Sequence, residues 1–295
     1  MPDFEVDSVQ SSDGTVIGFR RLGHGPAVIA VHGGAQAAQN FMSLAAALAD
    51  SFTVYLPDRR GRGLSGPAGE HYGLDAETQD LAALVEHSGA ERVFGLSSGA
   101  LICLYASLSI PGIRRLALYE PPLSINHSTP VGWVTRYERE LAQGKLGSAM
   151  LTVIHGTQTA PPMFRFIPRF VLAPLLNSAA RRGVLDRRAG GAGGADNPEA
   201  DVHPSDLIPT MRYDAQLVSE SEGTFDRYRA VTADVLLLGG SQSARYLKNT
   251  LVSLAEVLPH ARLVTLPGVG HIAADNDGKP ELVADQLRTF FTASD

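Results

Sequence analysis

Between Arg92 and Ser109 the chain runs Arg-Val-Phe-Gly-Leu-Ser-Ser-Gly-Ala-Leu-Ile-Cys-Leu-Tyr-Ala-Ser-Leu-Ser, and this stretch restricts the available folds more than any other. A short strand-like run passes directly into an apolar helical pattern, with Gly95-Leu96-Ser97-Ser98-Gly99 at the corner. Such a turn strains the backbone at the serine. Side chains in place of the flanking glycines would strike the neighbouring strand and helix. The spacing predicts a strand over 92–96, a helix over 99–109 and a serine hydroxyl raised at their junction. A Gly/Ser-rich loop ahead of a core helix is the plainer alternative, and the rest of the chain decides between them.

Before this corner, Phe4 to Val9 and Thr15 to Arg21 read as strands joined by the hairpin signal Ser12-Asp13-Gly14. Ala27 to Val31 is uniformly apolar, as a strand buried on both faces should be, and ends in His32-Gly33-Gly34. A helix is predicted over Phe41 to Ala49 and a strand over Phe52 to Leu56. Then come the turn Asp58-Arg-Arg-Gly-Arg-Gly-Leu-Ser65 and a helix over Leu74 to His87. After the serine helix, Arg115 to Tyr119 is a strand that stops at Glu120-Pro121-Pro122. Strands alternating with helices argue for a mostly parallel sheet covered on both faces.

The alternation fails from Pro121 to about Arg229 and returns at Asp234 to Leu238. A helix over Lys248 to Leu258, a strand over Ala261 to Leu266, the loop Pro267-Gly-Val-Gly-His271 and a helix over Lys279 to Phe291 complete the chain. The organisation expected is an α/β core, 1–120 and 231–295, interrupted by a mainly helical cap subdomain over 121–230. Within the cap, the Gly/Ala tract 189–195 is expected to be a mobile loop. Residues 136–188 carry nine Arg/Lys against three acids, and 196–226 carry eight acids against one arginine. These halves are expected to pair with each other or to stay solvated.

At 295 residues and 44% hydrophobic, the chain can bury one large core with an insertion. Its formal charge of −6 supplies no electrostatic reason to bind nucleic acid or an anionic membrane. No apolar run approaches the roughly 20 residues of a membrane span, and the start of the chain lacks a signal-peptide pattern. Cys103 is the only cysteine, which rules out an intrachain disulfide and fits core packing in a cytoplasmic protein.

Ser97 needs a base to take its proton. Of nine histidines, His271 is the candidate, because it lies on a glycine-containing loop after the last strand, where the ends of parallel strands gather. An oxyanion formed by attack of Ser97 needs donors, and the backbone N–H groups of Ser98 and Gly34 are expected to supply them. His32 is expected to hold the backbone by hydrogen bonds. No metal-ligand cluster appears, and neither cofactor nor metal is expected.

Taken in order, His-Gly-Gly, Asp58-Arg-Arg-Gly-Arg-Gly-Leu-Ser65, Gly-Leu-Ser-Ser-Gly, an insertion and Gly-Val-Gly-His resemble the α/β-hydrolase superfamily. The resemblance covers the core and implies Ser97 as nucleophile and His271 as base, with an acid orienting the histidine. Arg59-Arg60-Gly61-Arg62 then falls in a turn common in that superfamily. Most members place the acid in a Gly-x-x-Asp turn after the strand that follows the cap, where this chain reads Gly240-Ser241-Gln242-Ser243. A serine cannot stabilise an imidazolium as a carboxylate does. Glu120, at the end of the preceding sheet strand, is the replacement expected. Some superfamily members carry their acid there, including fungal zearalenone lactonases, which this chain also resembles in its Ser-Ser-Gly turn. A hinge role for Glu120 is the alternative, and Asp275 and Asp277 are lesser candidates.

The resemblance implies an esterase or lactonase, and the apolar residues of the cap fit an apolar, uncharged small molecule as its substrate. Trp133, Tyr137, Met150, Met163, Phe164 and Phe166 are candidates for the pocket wall, or equally for the cap's own core. A cofactor-free enzyme that does not hydrolyse, or a ligand-binding protein on the same fold, stands as the other reading because the usual acid is missing. An aspartate nucleophile, as in haloalkane dehalogenases and epoxide hydrolases, is excluded by Ser97.

Overall fold

The computed structural model describes residues 3–159, 167–184, 186 and 201–293. Eight strands form one sheet in the order β1-β2-β4-β3-β5-β6-β7-β8. They are β1 (Glu5–Gln10), β2 (Val16–Gly23), β3 (Ala27–Val31), β4 (Thr53–Pro57), β5 (Arg92–Leu96), β6 (Arg115–Tyr119), β7 (Asp234–Gly240) and β8 (Ala261–Leu266). β2 runs antiparallel to both β1 and β4, whereas every pair from β4 through β8 is parallel.

β3 is apolar throughout, and β5, β6 and β7 are apolar or aromatic after their first residues Arg92, Arg115 and Asp234, because each face of the sheet is covered. On β6, Leu116 and Leu118 point into the cluster that packs helices α2 (Leu74–Ser88) and α3 (Ser98–Ala106). Ala117 and Tyr119 point to the other face, under α1 (Met42–Leu48) and the C-terminal helix Pro280–Thr292. This is the period-2 alternation of a strand with both faces buried. Cys103 is fully buried on α3, where burial pushes its thiol pKa up and leaves it inert core packing. Several boundaries differ from expectation, among them the helix expected from Lys248, which starts at Arg245. The serine helix begins at Ser98 and ends at Ala106, and a 3-10 turn, Ala38–Phe41, precedes α1.

Between β6 and β7 the described residues form helices and no strand: α4 (Val134–Ala142), α5 (Leu146–Gly156), α6 (Arg169–Arg181), a short turn Pro204–Leu207 and α7 (Met211–Glu220). Their shared core is Trp133, Tyr137, Ala149, Ile208, Met211 and Ala215. Gly156 allows the Trp133 ring to lie against α5, since a Cβ there would sit 2.3 Å from Trp133 Cγ. The expected pairing between the basic and acidic halves is not what the described residues make. Asp201 pairs with Arg20 and Asp214 with Arg59 and Arg62, all on the sheet domain, while Arg169 pairs with Glu140 inside the basic half. Burial decides this: arginines sealed under the insertion need a carboxylate more than solvated ones do. The tract 189–195 lies outside the described residues. α8 (Arg245–Val257) and α9 (Pro280–Thr292) complete the element set used below. No described helix is long and apolar enough to cross a membrane.

Candidate active site

Parallel strands deliver their carboxyl ends to one edge of the sheet, so the residues after β3, β5, β6, β7 and β8 meet there. Ser97 follows β5 with φ 55° and ψ −124°, a conformation that L-residues rarely adopt. Its N–H donates to the Tyr119 carbonyl at 2.8 Å, which pins the corner to β6. Both flanking glycines are sterically required. A Cβ at Gly99 would sit 2.4 Å from the carbonyl oxygens of Val31 and His32, and one at Gly95 would sit 2.6 Å from the backbone of Ala100.

Glu120 follows β6 at φ 49° and is fully buried. Its N–H donates to the Leu238 carbonyl at 3.0 Å, and its Oε1 accepts from the Gly240 N–H at 2.6 Å. Gly239 makes room for it, since a Cβ there would lie 3.1 Å from Oε1. The other oxygen, Oε2, lies 2.7 Å from His271 Nδ1, and His271 Nε2 lies 2.9 Å from Ser97 Oγ. A carboxylate only accepts, so the proton belongs on Nδ1 and Nε2 is left to accept from the serine hydroxyl. The His271 loop is held by Tyr119, whose hydroxyl donates to the Gly270 carbonyl at 2.8 Å.

Gly34 and Ser98 both line the cavity above Ser97. The Gly33 N–H is already used, donating to Gln36 Oε1 at 2.8 Å. Gln36 in turn donates to Asp275 at 2.5 Å. Asp275 and Asp277 therefore brace loops; Asp275 binds Gln36 and Asn40, and Asp277 donates its N–H to Asp275. His32 is buried, with Nε2 accepting from the Arg59 N–H at 3.2 Å. Its burial, with Arg62 and Arg59 nearby, holds its pKa well below the usual histidine value, so it stays neutral. Ser243, where a carboxylate was missed in the sequence, carries a buried hydroxyl with no partner.

The cavity measures about 210 Å³. Pro122, Val131, Trp133, Val153, Ile154 and Ile272 make most of its apolar wall among the described residues. Of the expected wall residues Trp133 is there, but Tyr137 is not. Tyr137 is fully buried within the insertion, donating its hydroxyl to the Ile208 carbonyl at 2.7 Å, because a buried phenol seeks a backbone acceptor. Met150 packs against the same core and does not reach the cavity. Met163, Phe164 and Phe166 lie outside the described residues.

One wall residue went unread in the sequence. Asp214, on α7, reaches the cavity from the insertion. Oδ1 accepts from Ser98 Oγ at 2.7 Å and from Arg59 at 2.8 Å, and Oδ2 accepts from Arg62 at 2.7 Å. Burial alone would raise its pKa, but Arg62 and Arg59 overcome that and lower it to about 2. Arg59 also holds Glu77, and Arg60 is paired with Asp80 and Asp13. The signal was present as the acid excess of 196–226 facing three arginines in the 58–65 turn. Nothing local said that these two stretches meet.

Residues 28–286 match the model of the alpha/beta hydrolase family. The chain is 24% identical over 279 residues to the 3-hydroxybutyrate-oligomer hydrolase of Cupriavidus necator, covering 90% of this chain and 88% of that protein. Among solved structures it superposes on an alpha/beta hydrolase from Sphaerobacter thermophilus with TM-score 0.75 and 32% identity, over 97% of this chain and 100% of that one. The enol-lactonase of Burkholderia xenovorans shares the fold at TM-score 0.68 and 17% identity, over 97% of this chain and 100% of that one.

Proposed function

The chain belongs to the alpha/beta hydrolase family, and on that premise we propose that it is a serine hydrolase of carboxylic esters or lactones of an apolar small molecule. The observation that carries the reading is the unbroken line from Glu120 Oε2 through His271 to Ser97 Oγ, with contacts of 2.7 and 2.9 Å. In this reading Glu120 takes the role of triad acid after β6, the place it has in zearalenone lactonases, and Ser243 is a bystander.

His271 Nε2 takes the Ser97 proton as Oγ attacks the carbonyl carbon. The negative charge that collects on the carbonyl oxygen is met by the N–H groups of Ser98 and Gly34. Glu120 stabilises the imidazolium while the charge persists. Collapse of the tetrahedral intermediate breaks the C–O bond, and the departing alkoxide takes the proton from Nε2. A water molecule then repeats the sequence on the acyl-enzyme, releasing the acid and restoring Ser97. The apolar wall supports an apolar substrate, and the similarity to an oligomer hydrolase supports ester-type chemistry. A binding protein or non-hydrolytic enzyme was motivated by the missing Gly-x-x-Asp. A carboxylate 2.7 Å from Nδ1 supports the hydrolase over that reading.

The test is labelling with an alkyl fluorophosphonate, followed by a panel of matched esters and lactones. Modification at Ser97 with turnover on the panel is expected, and both should vanish in Ser97→Ala. A wild-type protein that resists the reagent would refute the reading. Faster opening of a lactone than of its open-chain ester would assign the lactonase activity.

A further inference from the structure

Asp214, His271 and Tyr246 are the titratable side chains among the described residues lining the cavity; burial pushes the Tyr246 phenol up and keeps it neutral, and no lysine or arginine joins them. The charges around Asp214 have a direction. Arg59 and Arg62, each with side chains 1% exposed, bind its carboxylate from behind, and Glu77 lies further back against Arg59. Two guanidiniums balance two carboxylates, so the cluster is neutral, but the member that reaches the cavity is an anion. Gly34 lets it come close, since a Cβ there would sit 3.0 Å from Asp214 Cγ. With its pKa near 2, Asp214 is ionised throughout the neutral range.

We propose that Asp214 is a specificity-determining residue that sets the sign of charge admitted to the pocket, turning away substrates whose buried end carries a carboxylate. The proposal rests on the serine-hydrolase reading, which supplies the group that reports on it. Any charge entering an apolar pocket loses hydration, whatever its sign. That cost falls on an ammonium and a carboxylate alike, so it cancels when the two are compared. What remains is the field of the wall. A substrate carboxylate meets a like charge at low dielectric, and neither nearby guanidinium lines the cavity: Arg59 is bound to Asp214 and Glu77, and Arg62 to Asp214. A neutral end meets neither penalty. The sequence signal is absent here because Asp214 is separated from Arg59 by more than half the length of the core.

The experiment uses three fluorophosphonates with one alkyl chain, ending in a methyl, an ammonium or a carboxylate, and measures the second-order rate of Ser97 modification by each. Labelling needs no knowledge of the natural substrate. The wild-type protein should react fastest with the methyl probe and at least about tenfold faster with the ammonium than with the carboxylate probe, roughly 1.4 kcal/mol. Asp214→Asn leaves Arg59 and Arg62 facing Glu77 alone, so the ammonium-to-carboxylate ratio should fall below one. Arg62→Gln removes a compensating cation and should raise the ratio above wild type. A merely structural role for Asp214 would slow all three probes together and leave the ratio where it was. If Asp214→Asn fails to fold, the wild-type and Arg62→Gln ratios still decide. A wild-type ratio near one, including the case in which both charged probes are equally slow, overturns the proposal. No reaction with any probe overturns the serine-hydrolase reading beneath it instead.

Discussion

Replacing Glu120 by glutamine keeps the shape of the side chain and removes its charge, and the structure says what the amide must then do. Glu120 Oε1 accepts from the Gly240 N–H at 2.6 Å while Oε2 faces His271 Nδ1 at 2.7 Å, and the group is fully buried. A carboxylate serves both partners, but an amide has one oxygen. If that oxygen stays with Gly240, the NH₂ faces His271 and forces the ring proton onto Nε2, where it blocks acceptance from Ser97. If the amide turns over, its NH₂ opposes the Gly240 N–H, and a buried donor left unsatisfied costs about 1–3 kcal/mol. Either way the imidazolium loses a charge partner worth about 4 kcal/mol at 4 Å with an effective dielectric near 20. Together these predict a fall in kcat of about 10³–10⁴, with KM little changed, since the amide touches no part of the substrate. The assay is steady-state kinetics on the best ester of the panel, with circular dichroism to verify the fold. A Glu120→Gln enzyme within about tenfold of wild type would refute the reasoning, because no arrangement of the amide preserves both the tautomer and the charge.

In the Glu120→Gln background, Ser243→Asp should recover about tenfold of the lost kcat/KM, because Ser243 stands in the turn after β7, where most members of the superfamily carry the triad acid, and its buried hydroxyl has no partner to lose; no recovery would put that position out of reach. Ser97→Ala should abolish turnover while changing the thermal midpoint little, and residual wild-type hydrolysis would remove the serine mechanism. Gly99→Ala should destabilise by at least about 1–3 kcal/mol in urea unfolding, as its Cβ meets two carbonyl oxygens at 2.4 Å, whereas Gly132→Ala, with nothing within 4 Å, should be near neutral. Asp214 should make the protein acid-sensitive. Its folded pKa of about 2 lies below the ordinary 3.8, so its contribution is complete above about pH 4 and is lost as pH falls toward 2. That contribution is about 2 kcal/mol. The stability gap between wild type and Asp214→Asn should narrow over that window, and a gap independent of pH would refute the assignment.

The sequence by itself determined the run of strands, the corner at Ser97 and the loop that carries His271. Each of these is written in a local period: apolar runs for strands buried on both faces, 3.6-residue spacing for helices, glycines where a Cβ would strike backbone. Local patterns of this kind do not say which side chains from distant segments meet. That Glu120 reaches His271 follows from β6 lying between β5 and β7, so that Tyr119 at its end binds the serine corner on one side while Glu120, the next residue, meets Gly239 and Gly240 on the other. Tyr137 lies on a helix whose apolar side serves the insertion's own packing, and its ring contact with Trp133 and its hydrogen bond to the Ile208 carbonyl hold it in that core. Asp214 is the clearest case. In sequence it is one of eight acids in 196–226, and only packing of α7 over the 58–65 turn buries it with Arg59 and Arg62. Charge complementarity says that a buried carboxylate and a buried guanidinium need partners, but which partners they find depends on how the insertion sits on the sheet, and that is settled by tertiary packing.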